Sequence, residues 1–143
     1  MVMHRTRLLL TALGAFALGG CSGAEPPSGA SGASGASGEL GARLYEGSCV
    51  ACHQADGHGI AGVYPSLSGS PVVLGDPAPL TRWVLEGRRP VDLPAGRYGT
   101  RMPAFGWLKP PDAAALFTYL RSHFGNAGTP VDSTAVARAL GDS

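Results

Sequence analysis

Lysine is almost missing from this 143-residue chain, where Lys109 is the only one. Charge is sparse, with 15% Asp, Glu, Lys and Arg, and nearly balanced at a formal net charge of +1. Setting aside residues 1–20 removes Arg5 and Arg7 and no acid, leaving nine basic against ten acidic residues. Nucleic-acid binding therefore has no electrostatic support. Cysteine is scarce too: Cys21, Cys49 and Cys52 are too few for a disulfide framework. Of three methionines, Met1 and Met3 sit in the first three positions, which leaves Met102 alone beyond the leader. No stretch approaches the ~20 apolar residues of a membrane span. No convincing strand alternation appears, and Val72-Val73-Leu74 is too short to argue from. Glycine (22) and proline (12) are plentiful, which points to a loop-rich protein rather than a helical bundle.

The first residues have a purpose of their own. His4, Arg5 and Arg7 precede the run Leu8–Leu18, then Gly19, Gly20 and Cys21. Eleven apolar or small residues are too few to span a bilayer but suit a secretory leader over 1–20. The alternative is an uncleaved N-terminal anchor helix. Leu18-Gly19-Gly20-Cys21 resembles a bacterial lipobox, which implies cleavage before Cys21 and its lipidation. Several acyl chains anchor durably where one binds marginally. Residues 21–38 then read as a lipidated cysteine and a disordered tether of Ser-Gly-Ala units, with nothing to bury. The expected location is the periplasmic side of a bacterial membrane.

Residues 39–128 read as the folded domain and 129–143 as a tail. A first helix is expected over Glu39–Ser48, from the spacing of Leu40, Gly41, Leu44 and Tyr45. Asp76-Pro77 predicts an N-cap and first helical residue, with Gly87 as the stop. A last strong helix should run from Pro110 to about Phe124, with Gly125 as its C-cap. Residues 133–140 suit a short tail helix. The segments 53–75 and 88–103 read as loops. The class is all-α, with long ordered loops, and loops of that length call for a reason such as a flat cofactor.

Cys49-Val50-Ala51-Cys52-His53 supplies one, because C-x-x-C-H is the haem-attachment pattern of c-type cytochromes. Two thiols three residues apart on one helical turn can meet the two vinyl groups of one porphyrin, and His53 can offer its imidazole to iron. A structural zinc site needs about four ligands, and His58 and His123 make no second pair. A thioredoxin-like motif would need a βαβ pattern, and a plain disulfide leaves His53 unexplained. Elimination makes Met102, in the loop before the last helix, the second axial ligand; a thioether there favours reduced iron. Its alternative role is gap-filling. His58 and His123 are better read as surface residues.

The run Gly41–Gly125 resembles a class I c-type cytochrome, a small fold of three to four helices wrapped around one covalent haem c. Gly41 and Tyr45 stand where that family has the glycine and aromatic of its first helix, and Leu116 and Tyr119 match its last-helix pair. The resemblance implies that the two helices cross closely at Gly41. It also implies that the Pro65 carbonyl, in Tyr64-Pro65-Ser66-Leu67, accepts a hydrogen bond from His53. Met102-Pro103-Ala104-Phe105 and Tyr119-Leu120-Arg121, followed by Phe124-Gly125-Asn126, look more narrowly like the cytochrome subunits of bacterial membrane-bound alcohol and gluconate dehydrogenases. The implied function is one-electron transfer, not catalysis. Expected partners are a periplasmic dehydrogenase as donor and a terminal oxidase or other cytochrome as acceptor. A haem enzyme, or a gas or redox sensor in which Met102 is displaced, is the alternative. The segment from Arg82 to Lys109 holds six basic residues against Glu86 and Asp92, an asymmetry that suits either haem carboxylates or an acidic partner.

Overall fold

The structure, a computed structural model, describes residues 31–90 and 98–141. The leader, Cys21 and Arg97 lie outside the described residues. Six helices follow in order: α1 (Ser31–Ser48), α2 (Val50–His53), α3 (Pro71–Leu74), α4 (Pro77–Glu86), α5 (Pro110–Ser122) and α6 (Ser133–Gly141). Among the described residues there is no strand, only an isolated bridge between Ile60 and Tyr64. The all-α expectation holds.

The local signals explain most boundaries. Asp76 caps α4 by accepting from the Ala78 N–H at 2.9 Å, and Pro77 occupies the first helical position. Gly87 ends the helix in the left-handed region at φ 72°. Asp132 plays the capping part for α6, accepting from the Thr134 N–H and hydroxyl, both at 2.7 Å.

Four expectations need correction. Helix α1 begins at Ser31 rather than Glu39, so residues 31–38 of the expected tether are helical. A β-carbon at Gly35 or Gly38 would meet nothing, so the helix is unpacked at those two positions. Adding residues to a helix nucleated elsewhere costs little, and serine and alanine tolerate it. Helix α3, with Ser70 as N-cap, interrupts what reads as loop. Helix α5 stops at Ser122, not Phe124: His123 is extended, and Phe124 and Gly125 both have positive φ, 59° and 77°. That turn sends the Phe124 ring back onto Tyr45, with centroids 5.0 Å apart. The boundary at 128 also falls inside the packed unit. Val131, Val136 and Ala139 are buried, with α6 against α4 and α5. A two-turn amphipathic segment is a weak signal in sequence, and burial of its apolar face decides it.

The core gathers Tyr45, Val73, Leu80, Val84, Leu108, Leu116, Phe117 and Leu120. Its most extensive helix pair is α1 with α5. They cross at Gly41, where a β-carbon would stand 2.6 Å from Tyr119 Cβ and closer still to the Ala115 carbonyl oxygen. The expected close crossing is present. Since α2 follows α1 directly, this crossing sets where Cys49, Cys52 and His53 stand.

Candidate functional site

Helix α2 is a single turn. The amides of Cys52 and His53 both reach the Cys49 carbonyl, at 3.1 and 2.9 Å. Gln54 then breaks out at φ 65°. Both cysteines are free and half-buried, and both line one cavity of about 680 Å³. His53, Pro65, Trp83, Tyr98 and Met102 line it too. An adjoining cavity of about 320 Å³ shares Cys49, His53, Pro65 and Met102 and continues to Leu67, Val73, Leu80 and Leu116. These sizes lie within the range of small-molecule and cofactor sites.

His53 is buried, and its Nδ1 stands 3.0 Å from the Pro65 carbonyl oxygen. A carbonyl only accepts, so Nδ1–H donates and Nε2 keeps its lone pair. Burial lowers the His53 pKa, partly offset by the Pro65 contact, and so favours the neutral ring. A neutral imidazole with a free Nε2 is the form that binds a metal. Burial, reinforced by Cys52, pushes the Cys49 thiol up to about 11 and keeps it protonated and inert to casual oxidation.

The Pro65 carbonyl is held in place by residues far apart in sequence. Gly59, at φ 65°, lies so near that a β-carbon there would come within 2.6 Å of the Pro65 oxygen. Gly59 N–H in turn donates to the His53 carbonyl at 2.9 Å. The loop beyond Pro65 is fixed by Asn126, whose Oδ1 accepts from Gly69 N–H at 2.8 Å and whose Nδ2 donates to Leu67 and Leu120 carbonyls. Arg121, also buried, donates to the carbonyls of Val73, Gly75 and Thr129 at 2.9, 2.8 and 2.6 Å. Five donors in a rigid fork suit this clamp. Sequence reasoning missed these supports, and Trp83 and Tyr98 in the wall. Only glycines and an asparagine at loop positions hint at them.

Met102 is half-buried and lines both cavities. Its loop is tied to α4 by the Phe105 N–H, which donates to the Val84 carbonyl at 2.8 Å. His58 and His123 are exposed and line neither cavity; His58 bonds the Asp56 carbonyl and His123 stacks on Tyr119. Among the described residues no three or more His, Cys, Asp or Glu converge on one point. The cavity thus offers two thiols, a free imidazole nitrogen and a thioether within mostly apolar walls. That donor set fits a covalently attached haem.

Known proteins agree with this geometry. The family model described as Cytochrome c matches residues 38–124. The fructose dehydrogenase cytochrome subunit of Gluconobacter japonicus is 39% identical over 67% of this chain and 21% of its own length. The gluconate 2-dehydrogenase cytochrome c subunit of Pantoea cypripedii is 33% identical over 62% of this chain and 21% of its own. Cytochrome c-552 of Thermus thermophilus is 29% identical over 61% and 70%. The chain spans about a fifth of the length of the two dehydrogenase subunits. With a helical fold, a matching family model and a cavity lined by its C-x-x-C-H motif, this chain belongs to the cytochrome c family, electron-transfer proteins whose cofactor is haem c.

Proposed function

We propose that this chain is a one-electron carrier holding a single haem c, tethered on the periplasmic side of a bacterial membrane through lipidated Cys21. Cys49 and Cys52 would hold the porphyrin by thioether bonds, and His53 Nε2 and Met102 Sδ would ligate its iron. Bound there, the haem supplies an Fe(III)/Fe(II) couple. The observation that carries this reading is the hydrogen bond from His53 Nδ1 to the Pro65 carbonyl, which aims Nε2 into the cavity that Cys49, Cys52 and Met102 share. Pro65 fixes the tautomer and the ring angle, so His53 needs little reorientation between redox states. Trp83, Leu80 and Leu116 exclude water, which raises the electrostatic weight of each remaining polar contact. His53 and Met102 together on the iron would leave no open position for a substrate, which favours outer-sphere transfer over catalysis.

The relatives' names support a sugar, sugar-acid or alcohol dehydrogenase as donor. A terminal oxidase or another cytochrome is the acceptor. The test is Met102→Ala in the haem-loaded protein. The ferric thioether-to-iron charge-transfer band should vanish and the midpoint potential fall, with haem still attached. An unchanged band and potential would make Met102 a packing residue and return the enzyme and sensor readings to first place.

A further inference from the structure

Helix α6 begins at Ser133, beyond the residues 38–124 that the cytochrome c family model matches. Its place in the fold is firm all the same. Val136 is wholly buried and Ala139 nearly so, with the helix seated on both α4 and α5. On the α5 side, the chain is tied down before the helix starts. Thr118 Oγ1 accepts from the Val131 N–H at 3.0 Å, and Arg121 Nε donates to the Thr129 carbonyl at 2.6 Å. On the α4 side, Arg82 Nη1 donates to the Ala139 carbonyl at 3.4 Å. Among the described residues, α4 packs most on α6 and next on α3, with no comparable seam against α1 or α5. Helix α6 is therefore the main bridge between α4 and the α1–α5 pair.

The far end of α4 carries the Met102 loop. Phe105 N–H donates to the Val84 carbonyl at 2.8 Å. A β-carbon on Gly106 would stand 3.2 Å from the Leu85 carbonyl oxygen, and one on Gly87 would stand 3.5 Å from Ala104 Cβ. Residues 104–106 thus lie along the last turn of α4, and only Pro103, with its fixed φ, separates them from Met102. A shift of α4 away from α5 draws this loop, and the Met102 thioether, with it.

We propose that α6 is a strut for Met102: Val136 and Ala139, with Asp132 capping the helix, pin α4 and so hold the Met102 sulfur where it can ligate iron. The inference rests on the His53/Met102 reading and adds what keeps one of the two ligands in place. Met102 leaves when its loop lifts, and lifting it strains the seam between α4 and α6. Weakening α6 then raises the share of molecules with Met102 released. Asp132, Val136 and Ala139 are positioning residues, since none of them lines either cavity.

The test uses the full haem-loaded ferric protein and added imidazole, with binding followed in the visible spectrum. Imidazole takes the place of Met102 only after Met102 has let go, so its apparent affinity reports the released share. Asp132→Ala removes the cap that accepts from the Thr134 N–H and should tighten imidazole binding about fivefold. Asp132→Asn restores a capping side chain and should return it to the parent value. Val136→Ala should tighten binding about tenfold. In a Met102→Ala background, Asp132→Ala should add nothing, because the strut has no thioether left to hold. Variants that melt lower by circular dichroism yet bind imidazole as the parent does would overturn the strut and leave α6 a stabilising element only. An Asp132→Ala effect that persists in the Met102→Ala background would overturn it too. A parent that binds imidazole as tightly as Met102→Ala would overturn the ligation reading itself, and the strut with it.

Discussion

Replacing Gly41 by alanine sets two effects of opposite sign against each other. Alanine is favoured over glycine in a helix by about 1 kcal/mol. Against that, the new β-carbon would stand 2.6 Å from Tyr119 Cβ and 3.0 Å from the Ala115 carbonyl carbon, with the carbonyl oxygen nearer still. Two of these three obstacles are backbone atoms, which cannot rotate away. Helices α1 and α5 would have to part by roughly 1 Å to restore ordinary contact. A gap of that size forfeits a quarter to a half of each contact's attraction along the seam, where Leu44 and Tyr45 face Leu116 and Tyr119. Overpacking of this kind costs about 3 kcal/mol, the upper part of the usual span. The clash therefore wins by about 2 kcal/mol, a large share of the 5–15 kcal/mol typical of a small domain. At about 4–8 °C per kcal/mol, the melting temperature should fall by about 8–16 °C. Gly47 in the same helix meets nothing within 4 Å, so Gly47→Ala should hold or raise it. Thermal unfolding of the haem-loaded protein, followed by far-ultraviolet circular dichroism, reads both. A Gly41→Ala protein that melts with the parent would refute the close crossing.

Cys49→Ala with Cys52→Ala should abolish haem staining in denaturing gels and leave an unfolded or degraded chain; a well-folded haem-free double variant would mean the core does not need the cofactor. Cys21→Ser should move the protein from the membrane to the soluble fraction, and its retention after salt washing would point to an uncleaved leader. Arg121→Met removes the donor that the carbonyls of Val73, Gly75 and Thr129 share and should cost about 3 kcal/mol in guanidinium unfolding. A loss below about 0.5 kcal/mol would show that those carbonyls find other partners.

The chemistry of this protein is legible where it is local. Cys49, Cys52 and His53 lie on one helical turn, so their spacing alone states what they can hold. Met102 emerges by elimination because methionine is so rare here. Asp76, Pro77 and Gly87 mark α4 because capping is a matter of adjacent residues. What the sequence leaves open is set by contacts across space. Pro65 alone reads as a turn former; its carbonyl gains a role because Gly59 admits it and His53 faces it. Asn126 and Arg121 belong to a run that carries the family resemblance, yet nothing adjacent shows that each bonds backbone groups 48–59 residues away in sequence. The tail belongs to the fold because α4 and α5 present an apolar face that Val136 and Ala139 cover. Helix α1 reaches back to Ser31 because cooperativity extends a helix beyond its packed turns. Short-range bonding patterns can be read along a chain, whereas burial and long-range hydrogen bonds exist only once distant segments have met.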